Sequence, residues 1–377
     1  MIFPIVFGLS ILSIFLFFII TKKNKVLSDY YLIAIILFFS GILGSHILME
    51  NSPSLEIYLI VLFFNTYYFP VLVSYGLILL DGNKFNTRWL WIYLYPIVYN
   101  VLILVDIFAN SDYSSFSEIE NLFKNPSKFQ FFLYLTQYIY VIVLLIWLWK
   151  KLNRYTVQIK NYHSTIEHIN LNWFRYFILS FLGLSSFGFI VFTCFGVGII
   201  EDIKIPFGIE YVIFVLLLFY LSYNGIKQYS IAEINSRTGQ NFKTSLHPSE
   251  KYQSSNLDKE SIDSYFNEII QLFIEEKMFL ESQLKIEDVA KRMNITVHKV
   301  SQIINSKSNK SFFDFVNGYR VMYFKKILSD PDKRKFTILS LGIESGFNSK
   351  ASMNRVFKNF VGQSPKEYQK SKLGITL

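Results

Sequence analysis

Charge and cysteine are what this sequence has least of. Only 17% of its 377 residues are Asp, Glu, Lys or Arg, against about 25% in an average soluble protein. The single cysteine, Cys194, excludes an intramolecular disulfide and any zinc or iron–sulfur centre built from thiolates of one chain. No P-loop, no GxGxxG fingerprint and no nucleophile elbow occurs. His163 and His168 are five residues apart, off a single helical face, and do not read as a metal pair. No nucleotide-binding glycine box follows them, which argues against a sensor kinase. No catalytic residue, metal or cofactor is therefore expected. Apolar residues are abundant instead: 52% are hydrophobic and 18% aromatic, with 39 Phe and 25 Tyr. That excludes a disordered or fibrous chain and argues against a purely soluble one.

The little charge present is unevenly spread. Residues 1–226 hold 13 Lys and Arg against 12 Asp and Glu, whereas 227–377 hold 24 against 16. An apolar, nearly neutral first part is joined to a polar, basic second part. Seven apolar runs fill the first part, at 2–20, 30–49, 57–80, 89–108, 129–149, 176–200 and 206–226. About 20 helical residues span a hydrocarbon core of ~30 Å. Formal charge inside the runs is confined to Asp106 and Glu210, near their ends. The first run lacks a basic lead, and Lys22, Lys23 and Lys25 follow it, so it does not read as a cleavable signal peptide.

Connecting loops orient the runs. Loops 21–29, 81–88 and 150–172 carry nine Lys and Arg; loops 50–56, 109–128 and 201–205 carry three and are rich in acid. The basic set faces the cytoplasm. The N-terminus is then outside and residues 227–377 are cytoplasmic, an inner-membrane multi-pass arrangement. Trp89, Trp91, Trp147, Trp149 and Trp173 lie at run ends, as interfacial belts require. Outer loops are too short for a binding domain, so an external signal is sensed inside the bundle or from the lipid bilayer. Polar candidates for sensing are His46, Asn65, Asn100 and Gln137. The plainer reading is hydrogen bonding between helices. Asp106 and Glu210 read as solvated near the outer interface, and Pro70 and Pro96 as kinks in the third and fourth spans.

Residues 227–256 are polar, with Gly239 and Pro248, and read as a flexible cytoplasmic linker. Leu257 to Phe279 is amphipathic, with Ile262, Phe266, Ile269, Phe273 and Ile274 on one face. It is read as a core helix of the next domain, with a helix that pairs two copies into a homodimer as the alternative.

From residue 284 onward, 18 Lys and Arg face 7 Asp and Glu, a net +11 over 94 residues. Such charge suits a phosphate backbone or an anionic membrane surface. Pattern discriminates between them. Ile286 to Met293 reads as a short helix with Val289 and Ala290 inward. Asn294 takes the left-handed turn, Thr296 caps a second helix to Asn305, and Val300, Ile303 and Ile304 point inward. His298, Lys299, Ser301 and Gln302 are left outward. The layout recurs: Thr337 to Ser345 forms a helix with small Gly342, Gly346 turns and Ser349 caps. A helix from Lys350 to Phe360 then buries Met353, Val356 and Phe357 and presents Lys350, Ser352, Asn354, Arg355 and Lys358. These are two helix-turn-helix units, whose second helices enter the major groove of double-stranded DNA. Between them Phe312 to Ser329 reads as an 18-residue helix, a rod of about 27 Å.

The fixed spacings Tyr319-Arg320, Ile338, Gly346-Phe347, Ser349, Phe357-Lys358, Gly362, Ser364-Pro365 and Tyr368 resemble the DNA-binding domain of the AraC/XylS family of bacterial transcription regulators. The resemblance covers about 257–371, and Gly342 stands where the family usually has Ala. A membrane domain followed by this module is similar to membrane-embedded regulators of that family. The resemblance implies base contacts from His298, Ser301 and Gln302 and from Lys350, Ala351, Ser352 and Arg355. Arg355 suits guanine, Gln302 adenine and the Ala351 methyl thymine, while Lys358 lies nearer the phosphates. Arg320 is read as pairing inside the domain.

The expectation is an all-α chain. Residues 1–226 form a seven-helix transmembrane domain, 227–256 a linker, and 257–377 a domain with two helix-turn-helix units. It would couple a small-molecule or membrane signal to sequence-specific transcription. The alternative is a transporter or lipid-modifying membrane protein with a fused DNA-binding regulator; its weakness is the absence of a dense charged constellation in the spans. Reporter fusions test the topology. Those within 81–88 and 150–172 are expected to score cytoplasmic and those within 50–56 and 109–128 external; an inverted pattern would put the basic domain outside the cell.

Overall fold

The computed structural model describes residues 2–51, 54–81, 84–110, 127–167, 169–200, 204–228 and 259–373. The side chains of 2–11, 46, 49–51, 110, 204–207, 211, 259 and 373 lie outside that description. The linker 227–256 falls almost wholly outside it. Described residues are all-helical apart from turns and one isolated β-bridge. They fall into two compact units: 1–153 with 171–244, and 154–170 with 245–377.

Among the described residues the first unit has seven α-helices: α1 (Ile2–Thr21), α2 (Leu27–Asn51), α3 (Leu55–Leu80), α4 (Leu94–Asn110), α5 (Lys128–Tyr162), α6 (Asn172–Gly196) and α7 (Lys204–Lys227). Only the part of α5 up to residue 153 belongs to it. By length and composition, α2 to α7 supply six helices long and apolar enough to cross a membrane. Of α1, the stretch Leu12–Thr21 is a shorter apolar helix. Aromatic packing joins these helices. Phe174, Phe177 and Phe181 stack along α6 with centroids 5.9 and 5.7 Å apart. Gly76 of α3 admits Phe174, since a Cβ there would lie 2.6 Å from the ring.

Two expectations change here. Pro96, read as a kink in the fourth span, lies in the first turn of α4, just after a 3-10 turn, Thr87–Tyr93. Proline is tolerated there because the first N–H groups have no partner inside the helix. Asp106 is not solvated: it is 9% exposed and accepts hydrogen bonds from Gln130 Nε2 (2.8 Å) and Ser127 Oγ (3.3 Å). Nor does α5 stop with its apolar run at 149; it continues to Tyr162 through Lys150, Lys151 and Arg154, all good helix formers. Trp147 and Trp149 are therefore interior to a helix, under the Lys151 and Arg175 cations at 4.7 and 5.0 Å.

The second unit contains α8 (Lys259–Ile274), α9 (Ile286–Arg292), α10 (Val297–Ser308), α11 (Phe312–Leu328), α12 (Ile338–Glu344), α13 (Lys350–Val361) and α14 (Pro365–Leu373). Ile269 and Phe273 of α8 are fully buried with Val289, Val300, Ile303, Ile304 and Val316, so α8 is a core helix of this unit. Ile274, expected on the same face, is 61% exposed; it is the last residue of α8, and Leu272 packs against the core instead. A second cluster forms around Phe324, whose ring meets Phe347 (5.9 Å) and Phe357 (5.4 Å), and Phe357 meets Tyr368 (5.5 Å). α11 packs against α10, α12 and α13, and so holds both clusters.

Gly346 is where this packing is least forgiving. Its φ is +87°, and a Cβ would lie 2.6 Å from the Phe279 carbonyl oxygen. Residues 257–377 expressed alone are expected to be soluble and helical by circular dichroism. Gly346→Ala in that fragment should cost about 2–4 kcal/mol from backbone strain and the clash. Its thermal midpoint should fall by roughly 10–20 °C; an unchanged midpoint would refute the assignment of the turn.

Candidate nucleic-acid interface

Both helix pairs are built by the same local devices. In the first, Asp288 accepts the Lys285 N–H (2.8 Å) and so starts α9. Asn294 turns at φ +56°, and Thr296 Oγ1 accepts the Lys299 N–H (3.3 Å) to start α10. In the second, Thr337 Oγ1 accepts the Ser340 N–H, Gly346 turns, and Ser349 Oγ accepts the Ser352 N–H, both bonds 3.1 Å. Each cap satisfies an N–H with no partner inside the helix and fixes where the outward face begins. Close approach is allowed by Ala290 and Gly342; a Cβ on Gly342 would lie 2.2 Å from Met353 Sδ.

On α10, His298 is exposed, and Ser301 and Gln302 are half-buried at its edge. On α13, Lys350, Ala351, Arg355 and Lys358 are exposed. Ser352 departs from the expected outward face: it is 6% exposed. Positions 352 and 356 share a face at i, i+4, so the buried stripe of α13 is one residue wider than Met353, Val356 and Phe357 imply.

A buried cation fixes the frame that carries both helices. Arg320 of α11 is 1% exposed. Its Nε donates to the Phe279 carbonyl (2.7 Å), and Nη2 donates to the Glu281 carbonyl (2.6 Å) and Ser164 Oγ (3.0 Å). Nη1 donates to the Ser164 carbonyl and Asn317 Oδ1, both at 3.3 Å. Burial pulls the guanidinium down to about 9, while Glu281 opposes the shift, so the group stays charged at neutral pH. As expected, Arg320 pairs within the domain.

Ser164 belongs to a segment that sequence reasoning treated only as a basic connecting loop. The described residues 163–167 and 169, which follow α5, form a strap on the second unit. His163 pairs with Lys285 in the isolated bridge, and Ser164 N–H (3.2 Å) and Oγ (2.6 Å) both donate to the Leu284 carbonyl. Thr165 Oγ1 donates to the Ser282 carbonyl (2.6 Å), and Asn317 Nδ2 to the Ser164 carbonyl (3.0 Å). Burial, helped by the Lys285 charge, pushes His163 down to about 4, so it is neutral. Further on, Glu167 Oε2 accepts from Ser349 Oγ (2.7 Å), and Oε1 lies 3.8 Å from Arg355 Nη2. Only one sequence feature points to this: Glu167 is the sole carboxylate of loop 150–172.

Among the described residues no hydrogen bond joins Asn65, Asn100 and Gln137 to one another. Asn65 Nδ2 donates to Val61 of its own helix (2.8 Å). Asn100 Nδ2 donates to Thr66 Oγ1 (3.1 Å), linking α4 to α3. The amide of Gln137 is buried without a hydrogen-bond partner among the described residues. The His46 side chain lies outside them.

Residues 289–371 match the family model described as a helix-turn-helix domain. This region is similar to the Msm operon regulatory protein of Streptococcus mutans, 26% identical over 89 residues, which are 24% of this chain and 31% of that protein. It is similar to the melibiose operon regulatory protein of Escherichia coli, 27% identical over 90 residues, 24% of this chain and 29% of that protein. An uncharacterized HTH-type transcriptional regulator of Staphylococcus aureus is 26% identical over 100 residues, 26% of this chain and 13% of that protein. The chain therefore spans less than a third of the length of these curated relatives. No solved structure matches.

Arg320 gives the sharpest test of the frame. Arg320→Met leaves several buried carbonyls unpaired and should cost about 3–5 kcal/mol. Arg320→Lys should fall nearly as far, because an ammonium lacks the planar fork that reaches Phe279, Glu281 and Ser164 together. Wild-type stability in the lysine variant, measured by chemical denaturation of the second unit, would refute the role.

Proposed function

Because residues 289–371 are an AraC-type helix-turn-helix domain, we propose that this chain is a membrane-embedded, sequence-specific DNA-binding regulator of transcription. The N-terminus is outside and the second unit is in the cytoplasm, where double-stranded DNA is found. The membrane domain is 1–226, the linker 227–256 and the DNA-binding domain 257–377. The observation that carries the DNA reading is the pair of capped helices, α10 and α13, on the rigid α11. Their outward residues His298, Lys350, Ala351, Arg355 and Lys358 are exposed in a strongly basic unit. An α11 of 17 residues is about 26 Å long, enough to offer two helices to successive major-groove segments about 34 Å apart.

Membrane embedding is supported by the outer surface of the first unit. Large apolar side chains stand exposed along its helices: Phe17 64%, Phe18 58%, Val105 60%, Phe108 67%, Val143 58% and Ile190 59%. Water disfavours such a band, and lipid accepts it. Together with the loop-charge asymmetry, this favours an inner-membrane, multi-pass chain that reads a small-molecule or membrane signal.

Selection from random duplex DNA tests the reading. Binding should fall steeply with salt, because each neutralised phosphate releases counterions. Arg355→Ala should cost about 1–3 kcal/mol at the selected site and relax preference at one base pair. Lys358→Ala should weaken all sequences alike and flatten the salt slope. If both variants keep the same motif, Arg355 does not read a base. If the wild type selects no motif, the unit is a nonspecific polyanion binder.

A further inference from the structure

The two candidate reading helices are not in the same state. His298 on α10 is exposed, whereas the N-terminus of α13 is occupied by a carboxylate from the chain itself. Glu167 accepts the Ser349 hydroxyl, the group that caps α13, and faces Arg355, the residue assigned to base reading. We propose that the strap after α5 is an autoinhibitory clamp on the second helix-turn-helix, with the Glu167 carboxylate standing where the polyanion would stand. This inference rests on the DNA-binding role proposed above.

Four features support it. First, the partners of Glu167 are interface groups, while the strap is already anchored by other residues. Ser164 is tied to Leu284, Asn317 and Arg320, and Ile166 and Ile169 are buried at 7% and 6% exposure. Glu167 is not needed to hold the strap down. Second, the charge is of the right sign. A carboxylate at a helix N-terminus is favourable, and a DNA phosphate is drawn to the same donors. A duplex approaching α13 therefore meets both a competitor and a like charge. Third, the contact is built to release. Only one carboxylate oxygen is hydrogen-bonded; Oε1 accepts none among the described residues and has Arg355 at 3.8 Å, a side chain 45% exposed. The Glu167 side chain is only 15% exposed and its Oε1 is buried without a hydrogen bond among the described residues, so the carboxylate is held at a desolvation cost that release relieves. Fourth, the strap is the direct covalent continuation of α5, whose first part belongs to the apolar unit. A shift or rotation of that helix pulls on the segment that carries Glu167. Ser164 at its Arg320 anchor is the pivot and Glu167 the tip.

The test uses the full chain in nanodiscs and a duplex that the wild type selects from random sequence. Glu167→Gln keeps the shape and removes the charge; it should tighten binding about tenfold. Glu344→Gln, which removes a carboxylate paired with Lys333 in the same unit, should change binding less than about twofold. Equal gains from the two substitutions would mean general electrostatics and overturn the clamp, as would no gain from Glu167→Gln. A measurement on the unmodified protein guards against a folding artefact. The Ile169 and Asn170 amides, which donate to the Ile166 carbonyl at 3.3 and 2.9 Å, should exchange faster once the duplex is added; unchanged exchange overturns the clamp. If neither wild type nor Glu167→Gln binds any duplex, the DNA-reading proposal itself falls. If the wild type binds and the variant binds no better, only the clamp falls.

Discussion

A fully buried guanidinium organises the second unit. Arg320 lies on α11, and its donors close on the Phe279 and Glu281 carbonyls, on Asn317 and on Ser164. Such a charge is costly to desolvate and is retained only where its hydrogen bonds are satisfied. Three of its acceptors are main-chain carbonyls, of Phe279, Glu281 and Ser164, so the interaction fixes backbone positions as well as side chains. Gly346 shows the consequence. The turn between α12 and α13 rests against the Phe279–Leu280 backbone so closely that only glycine fits. The position of the second reading helix is thereby tied, through one turn, to what Arg320 holds.

The two helix pairs share a plan and differ in how far each is available. Both use a small residue at the crossing, a left-handed turn and a hydroxyl cap. In the first, the Thr296 hydroxyl serves only its own helix among the described residues. In the second, the cap Ser349 also donates to Glu167, so the dipole of α13 already faces a carboxylate. In the proposed DNA-binding role, one module would thus have an open helix and a covered one, and full affinity would wait until the cover lifts.

The apolar unit follows different physics. In the bilayer proposed for it, lipid tails are as apolar as leucine, so burial alone would not drive its helices together; close packing and internal hydrogen bonds would. Gly76 receiving Phe174, the Phe174–Phe177–Phe181 stack and the Asn100–Thr66 bond are of that kind. Asn65 and Asn100 therefore have structural partners. Gln137 retains a buried amide without one among the described residues, an unusual condition for a polar group away from water.

Much of this was legible because its determinants are local. Apolar run length located the long helices, and hydroxyl caps, Asn294 and Gly346 set α10 and α13 to within a few residues, since each acts over one helical turn. Errors arose where a face had to be phased to one residue. Ile274 and Ser352 lie at stripe edges, where a shift of 100° decides burial. Asp106 was misjudged because its partners Gln130 and Ser127 come from beyond the next loop. The strap was not legible. Its contacts join residues 117 to 188 positions apart, and they use Ser, Thr and Glu, types that also populate any solvated loop. Local chemistry in the sequence determined the elements and the two helix-turn-helix units. The tertiary structure alone decided that the connector after α5 closes on Arg320, Ser349 and Arg355, because only folding brings groups from distant segments into contact.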